Sequence, residues 1–447
     1  MALITEQLAE FVAMARPQEL PENVLDRAIL STLDCIAAAI GGVPTANAAS
    51  MRAAATRIFG GGPARAWFTD SLSMPAAAIL ANCAAASALD VDDGHRGASG
   101  HAGAAVVPAV LTAAAHETWS GAKLLTAIAL GYDVALRVAS ARQPGTVTSF
   151  AAGLWCGYGV AAAIGYLHGL RPTEIAHAIA IAGAEAPQNL PQGACCMSSV
   201  KGSSPWGTMT AYVAVERARH GATGSIDLLD RESVFDRNKI LDGLGQRWLI
   251  NETYLKPYAS CRYTHAAIDA VLELQATSAP IDELIVEIFP EGMTITNDRE
   301  PKTLEAAQFS IPFSVALAAL RGARALRPLT EASLCDEEVL ALSRRLKFYP
   351  VTEFASAFPK LTPSRVRVRR GGVESGRTVM HPLGEVDNPL RQSDVEAKLV
   401  DLARGFIPGD VVTSTVKGCV ELKTGSPKRL LAALDVPAFR TIAGAAQ

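Results

Sequence analysis

The sequence contains no Cys-x-x-Cys pair, no Gly-x-Gly-x-x-Gly, no Gly-x-x-x-x-Gly-Lys-Ser/Thr and no Gly-x-Ser-x-Gly. The first absence removes the usual zinc and iron–sulfur spacings. The others leave dinucleotide, phosphate-loop and nucleophile-elbow chemistry unsupported. Eight cysteines (Cys35, Cys83, Cys156, Cys195, Cys196, Cys261, Cys335 and Cys419) are scattered over 447 residues, far from the density of a disulfide scaffold. Charged residues make up only 19%, and the net charge is −3. A basic face for nucleic acid or a membrane surface is therefore not expected. The one dense basic run, "RVRVRR" at 365–370, alternates with valine and reads as a half-exposed strand. The opening "MALITEQLAEFVAMARP" carries Glu6 and Glu10 and lacks the basic start of a secretion signal. The most membrane-like stretch, 151–170, is rich in small residues and includes His168, so a buried central helix is expected there rather than a span. Together these features predict a soluble cytoplasmic protein of a reducing compartment.

What the chain does have is apolar bulk: 49% of its residues are hydrophobic. Residues 1–256 read as helix after helix, with stops at Gly pairs and starts at Pro, at Ser120 and at Thr173. The texture changes at "IDELIVEIFPEG" (281–292), which alternates, and at 364–384, which reads as a hairpin around Gly-rich turns. Helical spacing returns in "SDVEAKLVDLARG", with a serine at its start. The predicted fold is mainly α: a large helical domain, discontinuous in sequence (1–256 and 391–447), with a smaller α+β lid domain (257–390) inserted. A cleft between two such bodies is a common place for a small-molecule site.

Four polar clusters break the bland background. In "ALDVDDGHRGASGHAG" (88–103), Asp90, Asp92, Asp93, His95 and His101 gather in a Gly-rich loop after an apolar helix. Carboxylates beside imidazoles suit proton transfer, because each can hold and tune the other's charge; a solvated helix end is the plain alternative. No metal site is expected, since the spacing fits no ligand template. In "CMSSVKGSSPWG" (196–207), Lys201 stands among serines, including Ser199, either as a surface residue or as a carboxylate binder. "LKPYASCRYTHAAIDAVLEL" (255–274) carries Lys256, Tyr258, Cys261, Arg262 and His265 at the expected domain junction. A helix start there would favour an anion; an ordinary hinge is the alternative. Finally, Gln308 precedes the apolar helix holding Phe313.

These clusters, in this order, together with "GYDVALRV", "YGVAAA" before "LHGL", "QFSIPFSVALA" and "HPLGEVDNPL", resemble the MmgE/PrpD family, which includes 2-methylcitrate dehydratase and cis-aconitate decarboxylase. The resemblance spans nearly the whole chain. It implies a site between a helical body and a lid, a homodimer, and no metal or organic cofactor. By position it implies that Asp90 is the catalytic aspartate and that His101 is the loop histidine, one residue further along than usual. It also implies that Lys201 and Lys256 are the two site lysines and that His265 is the histidine of the junction motif. Asp93, His95, Phe150, Ser199, Tyr258, Cys261, Arg262, Gln308 and Phe313 are then expected around the substrate.

Three positions depart from the pattern of the tricarboxylate enzymes. Phe150 stands where they carry His, Phe313 where they carry Tyr, and Gly94 where they carry Thr, with His95 placed to substitute in part. Phenylalanine can neither move a proton nor bind a carboxylate, so a more apolar pocket and a less charged acid are expected. The resemblance then implies a cofactor-independent lyase acting on a small carboxylate by proton abstraction next to the carboxylate. An isomerase or epimerase using the same groups, and a binding protein that has kept only the scaffold, are the alternatives.

Overall fold

The structure is a computed structural model that describes residues 2–147, 149, 151–187, 200–274 and 279–437. Helices dominate it, as the mainly α reading expected. The body is built from Glu22–Gly42, Pro75–Ser87, Gly103–Ala114, Gly121–Ser140, Cys156–Leu167 and Ser203–Arg219. Alanine and glycine allow these helices to approach closely. A Cβ placed on Gly159 would lie 2.0 Å from the carbonyl oxygen of Gly131 on the neighbouring helix, so only glycine fits that crossing. Every residue of Cys156–Leu167 is buried. Among the described residues, no single helix is long and apolar enough to cross a membrane.

Strands in the helical body are two residues long. Among the described residues, the largest sheet has four strands, in the order Lys347–Pro350, Ile281–Ile288, Ser364–Arg370, Val373–Val379. The first pair is parallel and the others antiparallel. Val366 and Val368 face the core while arginines alternate outward, as the period of two predicts. The helix His265–Glu273 packs across this sheet.

Two helix starts differ from expectation. The helix at 172 begins at Pro172 rather than after a Thr173 cap, because the Glu174 carboxylate accepts from the Arg171 backbone N–H at 2.8 Å. The helix Gln392–Ala403 likewise starts before Ser393, since Asp394 accepts from Arg391 N–H at 2.8 Å. In both, a carboxylate three residues along accepts from the backbone N–H of the residue before the helix and closes the first turn.

Gln392–Ala403 lies on Glu22–Gly42. Buried Lys398 joins the two, donating to Asp34 Oδ1 and to the Val91 carbonyl, each at 2.6 Å. The helix Gln392–Ala403 thus holds the loop that carries Asp90.

Candidate active site

The loop begins where the helix Pro75–Ser87 ends. Asp90 adopts a left-handed backbone, φ 52, which aspartate tolerates better than bulkier residues. Gly94–His95 then pairs antiparallel with Thr253–Tyr254. That short bridge brings the junction segment alongside the loop and sets Lys256 against Asp90. Lys201 arrives from the turn before Ser203–Arg219.

Asp90 is the centre. Lys201 donates to its Oδ1, and Lys256 Nζ lies 3.0 Å from its Oδ2. His101 Nε2 is 3.7 Å from Oδ1. Asp90 is only 3% exposed and Lys256 is fully buried. Burial alone would push the Asp90 carboxyl upward; Lys201, Lys256 and His101 overcome it and hold the group well below the ordinary carboxylate range. Lys256 pairs with Asp90 by charge, but among the described residues its N–H bonds find no aligned acceptor. An ammonium out of water with unused donors is costly unless an anion joins it.

His101 is oriented from behind. Its Nδ1 lies 2.5 Å from the Asp93 carbonyl oxygen and 3.4 Å from Asp92 Oδ2. A carbonyl oxygen only accepts, so Nδ1 carries the proton and Nε2 presents its lone pair towards Asp90. Burial lowers the imidazole below its ordinary value, against the opposing pull of Asp92. Cys261, half-buried, sits within the field of Asp90 and both lysines, and burial pushes its thiol up to about 11.

Other expected site residues are engaged elsewhere. Asp93 accepts from Tyr132 Oη at 2.7 Å and from Gly103 N–H at 3.1 Å, beneath the loop. Tyr258 donates to Asp269 at 2.8 Å. Arg262 binds Glu385 at 2.7 Å and the carbonyls of Leu383 and Pro382. His265 accepts from Arg262 on Nδ1 and donates from Nε2 to the Ser260 carbonyl, both at 3.2 Å; burial, then Arg262 and Lys256, hold the imidazole well below its ordinary value against the Ser260 bond. Gln308 donates to the Ala88 carbonyl at 3.0 Å, and its backbone oxygen accepts from Cys261 N–H. Phe313 is fully buried in the helix Ile311–Arg321. Phe150 and Ser199 lie outside the described residues.

His95 does not join Asp90. Strand pairing turns its side chain to the other face, where Nδ1 accepts from Ala98 N–H at 3.1 Å and Nε2 lies 4.0 Å from Glu252. It borders a broad cleft of about 1520 Å³, lined also by Arg96, Arg142, Lys360 and Glu385. Asp90, Lys201 and Lys256 are not among the residues lining this cleft, and the convergence of charged groups on Asp90 makes that centre the candidate site.

Sequence reasoning missed the supporting residues. Arg27 donates to the Thr253 carbonyl at 2.6 Å and fixes the junction strand. Phe309 lies under Lys201, whose Nζ is 5.3 Å from the ring centroid. Glu305, also near Lys201, is buried. Arg27 reads as one more helical surface residue, and Phe309 as core; no local pattern distinguishes them.

Comparison with known proteins identifies the family. The MmgE/PrpD N-terminal domain matches residues 6–240, and the MmgE/PrpD C-terminal domain matches 258–422. Cis-aconitate decarboxylase of Aspergillus terreus (strain NIH 2624 / FGSC A1156) is 24% identical over 441 residues, covering 90% of this chain and 89% of that protein. A second Aspergillus terreus cis-aconitate decarboxylase is 24% identical over 456 residues, with the same coverage. With both domain models matched in order along nearly its whole length, the chain belongs to the MmgE/PrpD family.

Proposed function

We propose that the protein is a lyase of the dehydratase or decarboxylase type, acting without a cofactor on a small carboxylic acid. The observation that carries this reading is the pair of lysines on Asp90: two buried or nearly buried ammoniums meet one carboxylate, and Lys256 has donors unused among the described residues. A substrate carboxylate completes that charge balance.

The substrate carboxylate binds Lys256 and Lys201. His101 Nε2 removes a proton from the carbon next to it. The C–H electron pair moves towards the carboxylate, and the lysines stabilise the charge that develops, where fixed positive groups contribute most. Expulsion of hydroxide from the neighbouring carbon, with that bond's electron pair and protonated by the His101 imidazolium as it leaves, then gives an alkene and water; in a decarboxylation CO2 leaves instead, and the C–C electron pair it leaves behind takes a proton from the imidazolium. Asp90, ionised by its lysines, is a weak base until the substrate draws one lysine away; its basicity then rises and it can accept the proton next. The relatives named cis-aconitate decarboxylase support carboxylic-acid chemistry at this level. Asp93, Tyr258, Arg262, His265 and Gln308 serve as the frame.

The test is incubation with a panel of small di- and tricarboxylates in D₂O, followed by NMR. An alkene product, lost in Asp90→Asn, supports the lyase. Deuterium in recovered substrate with no alkene would move the reading to an isomerase or epimerase. Neither product nor exchange, with binding intact, would leave a binding protein.

A further inference from the structure

We propose that Arg96 is a positioning residue: by binding Glu385 and Thr362 it fixes the loop that carries Asp90 and His101 against the segment that carries Lys256, so that turnover, more than substrate binding, depends on it. This rests on the reading of that centre given above.

Arg96 follows the two-residue strand Gly94–His95, at the tip of the loop. The tip is closed by the bond from His95 N–H to the Gly100 carbonyl at 2.9 Å. Arg96 Nη2 donates to Glu385 Oε1 and, at 3.1 Å, to Thr362 Oγ1. Thr362 comes just before the strand Ser364–Arg370 and Glu385 shortly after Val373–Val379, and Ser364 pairs with Val379. One side chain of the loop thus grips both ends of a hairpin, 266 and 289 positions further along the sequence.

The same segment holds the other side of the centre. The Gly384 carbonyl accepts from Leu255 N–H at 3.0 Å. A Cβ on Gly384 would lie 1.9 Å from the Leu255 carbonyl oxygen, and its φ is 93, so only glycine permits this approach. Leu255 adjoins Lys256. Two consecutive residues therefore hold the two parts whose meeting makes the Asp90–Lys256 contact. Gly384 holds the lysine's segment and Glu385 the aspartate's loop.

Glu385 is 6% exposed and also accepts from Arg262 Nε at 2.7 Å. Arg262 alone would neutralise this carboxylate. A second guanidinium brings like-charge repulsion, and buried ion pairs contribute little net stability. What Arg96 adds is geometry, and misplacing a reacting group by about 1 Å can cost on the order of 10²-fold in rate.

The wild type is compared with Arg96→Gln, Arg96→Lys and Arg96→Ala. Each variant leaves Glu385 with Arg262, so melting temperatures are expected to stay close to that of the wild type. Without substrate, hydrogen exchange read by mass spectrometry should quicken about 10-fold or more across residues 94–101 in Arg96→Gln and stay unchanged in the helix Gln392–Ala403. Unchanged exchange in the loop overturns the inference. On the acid of the di- and tricarboxylate panel that the wild type converts or deuterates, Arg96→Gln should lower kcat by about 10–100-fold and change KM by less than about 3-fold, with Arg96→Lys in between. Arg96 lines the broad cleft, so methylguanidinium can reach the space left in Arg96→Ala and should raise its kcat several-fold, with no effect on the wild type. A normal kcat in Arg96→Gln, or a loss that follows the melting temperature and is not relieved by methylguanidinium, also overturns the inference. A wild type inert towards the whole panel would strike the function reading instead, and the exchange measurement would still decide whether Arg96 fastens the loop.

Discussion

Lys256 Nζ sits 3.0 Å from Asp90 Oδ2 with no exposure to solvent. An ammonium so placed costs stability unless a ligand completes its bonding, and Asp90 keeps Lys201 if Lys256 is removed. Lys256→Met is therefore expected to hold or raise the melting temperature while weakening carboxylate binding. A melt several degrees lower, with binding unchanged, would show that the lysine is structural only.

Asp90 and His101 are expected to carry the proton. Asp90→Asn and His101→Ala should each lower kcat by about 10²–10⁴-fold, the usual contribution of a positioned acid or base. Near-normal steady-state kinetics in both variants, on the acid that the wild type turns over, would exclude the assignment.

The acidic limb of kcat/KM should lie below the ordinary imidazole value of 6.5, because burial lowers His101 and so keeps it a base further into acid. Asp92 opposes that lowering. Asp92→Asn should thus move the limb to still lower pH; a move to higher pH, read from the pH–rate profile, would contradict the geometry.

Stability has its own pH dependence through Asp93. Burial pushes it up to about 7 from an ordinary 3.8, so the folded protein holds this proton longer than the unfolded chain. The contribution is full below 3.8 and is lost as the pH climbs towards 7, with an upper bound of about 4 kcal/mol. Asp93→Asn should flatten that decline. Denaturation midpoints across this range that slope identically in both proteins would show that another group is responsible.

The buried Lys398–Asp34 pair offers a double-mutant cycle. Lys398→Met should cost about 3–5 kcal/mol by leaving Asp34 and the Val91 carbonyl without their donor. Asp34→Leu added to it should restore much of that. Urea unfolding of the single and double variants decides; a single variant as stable as the wild type would mean that the loop is held by other contacts.

The sequence made the body, the sheet and the central groups legible for physical reasons. An unbroken run of small apolar residues exposes a fully buried helix such as Cys156–Leu167, and a period of two exposes a half-exposed strand such as Ser364–Arg370, which has one face to hide. Asp90, His101, Lys201 and Lys256 stood out because charge is rare in an apolar chain. His95 did not follow its neighbours, since a strand turns alternate side chains to opposite faces, and nothing local announces a two-residue strand. Arg262 and Tyr258 had suitable chemistry for a carboxylate, yet their partners, Glu385 and Asp269, appear only when the chain is folded.

The hydrogen bond from Lys398 to Val91 spans 307 positions of sequence. A ribosome delivers the loop long before its anchor, and domains tend to fold as they emerge. Throughout that interval Asp34 is without its cation and the loop without its clamp. Polypeptides released early would hold most of the helices yet lack a set site, so catalytic competence arrives last, as a property of the finished molecule rather than of the segment that bears its aspartates.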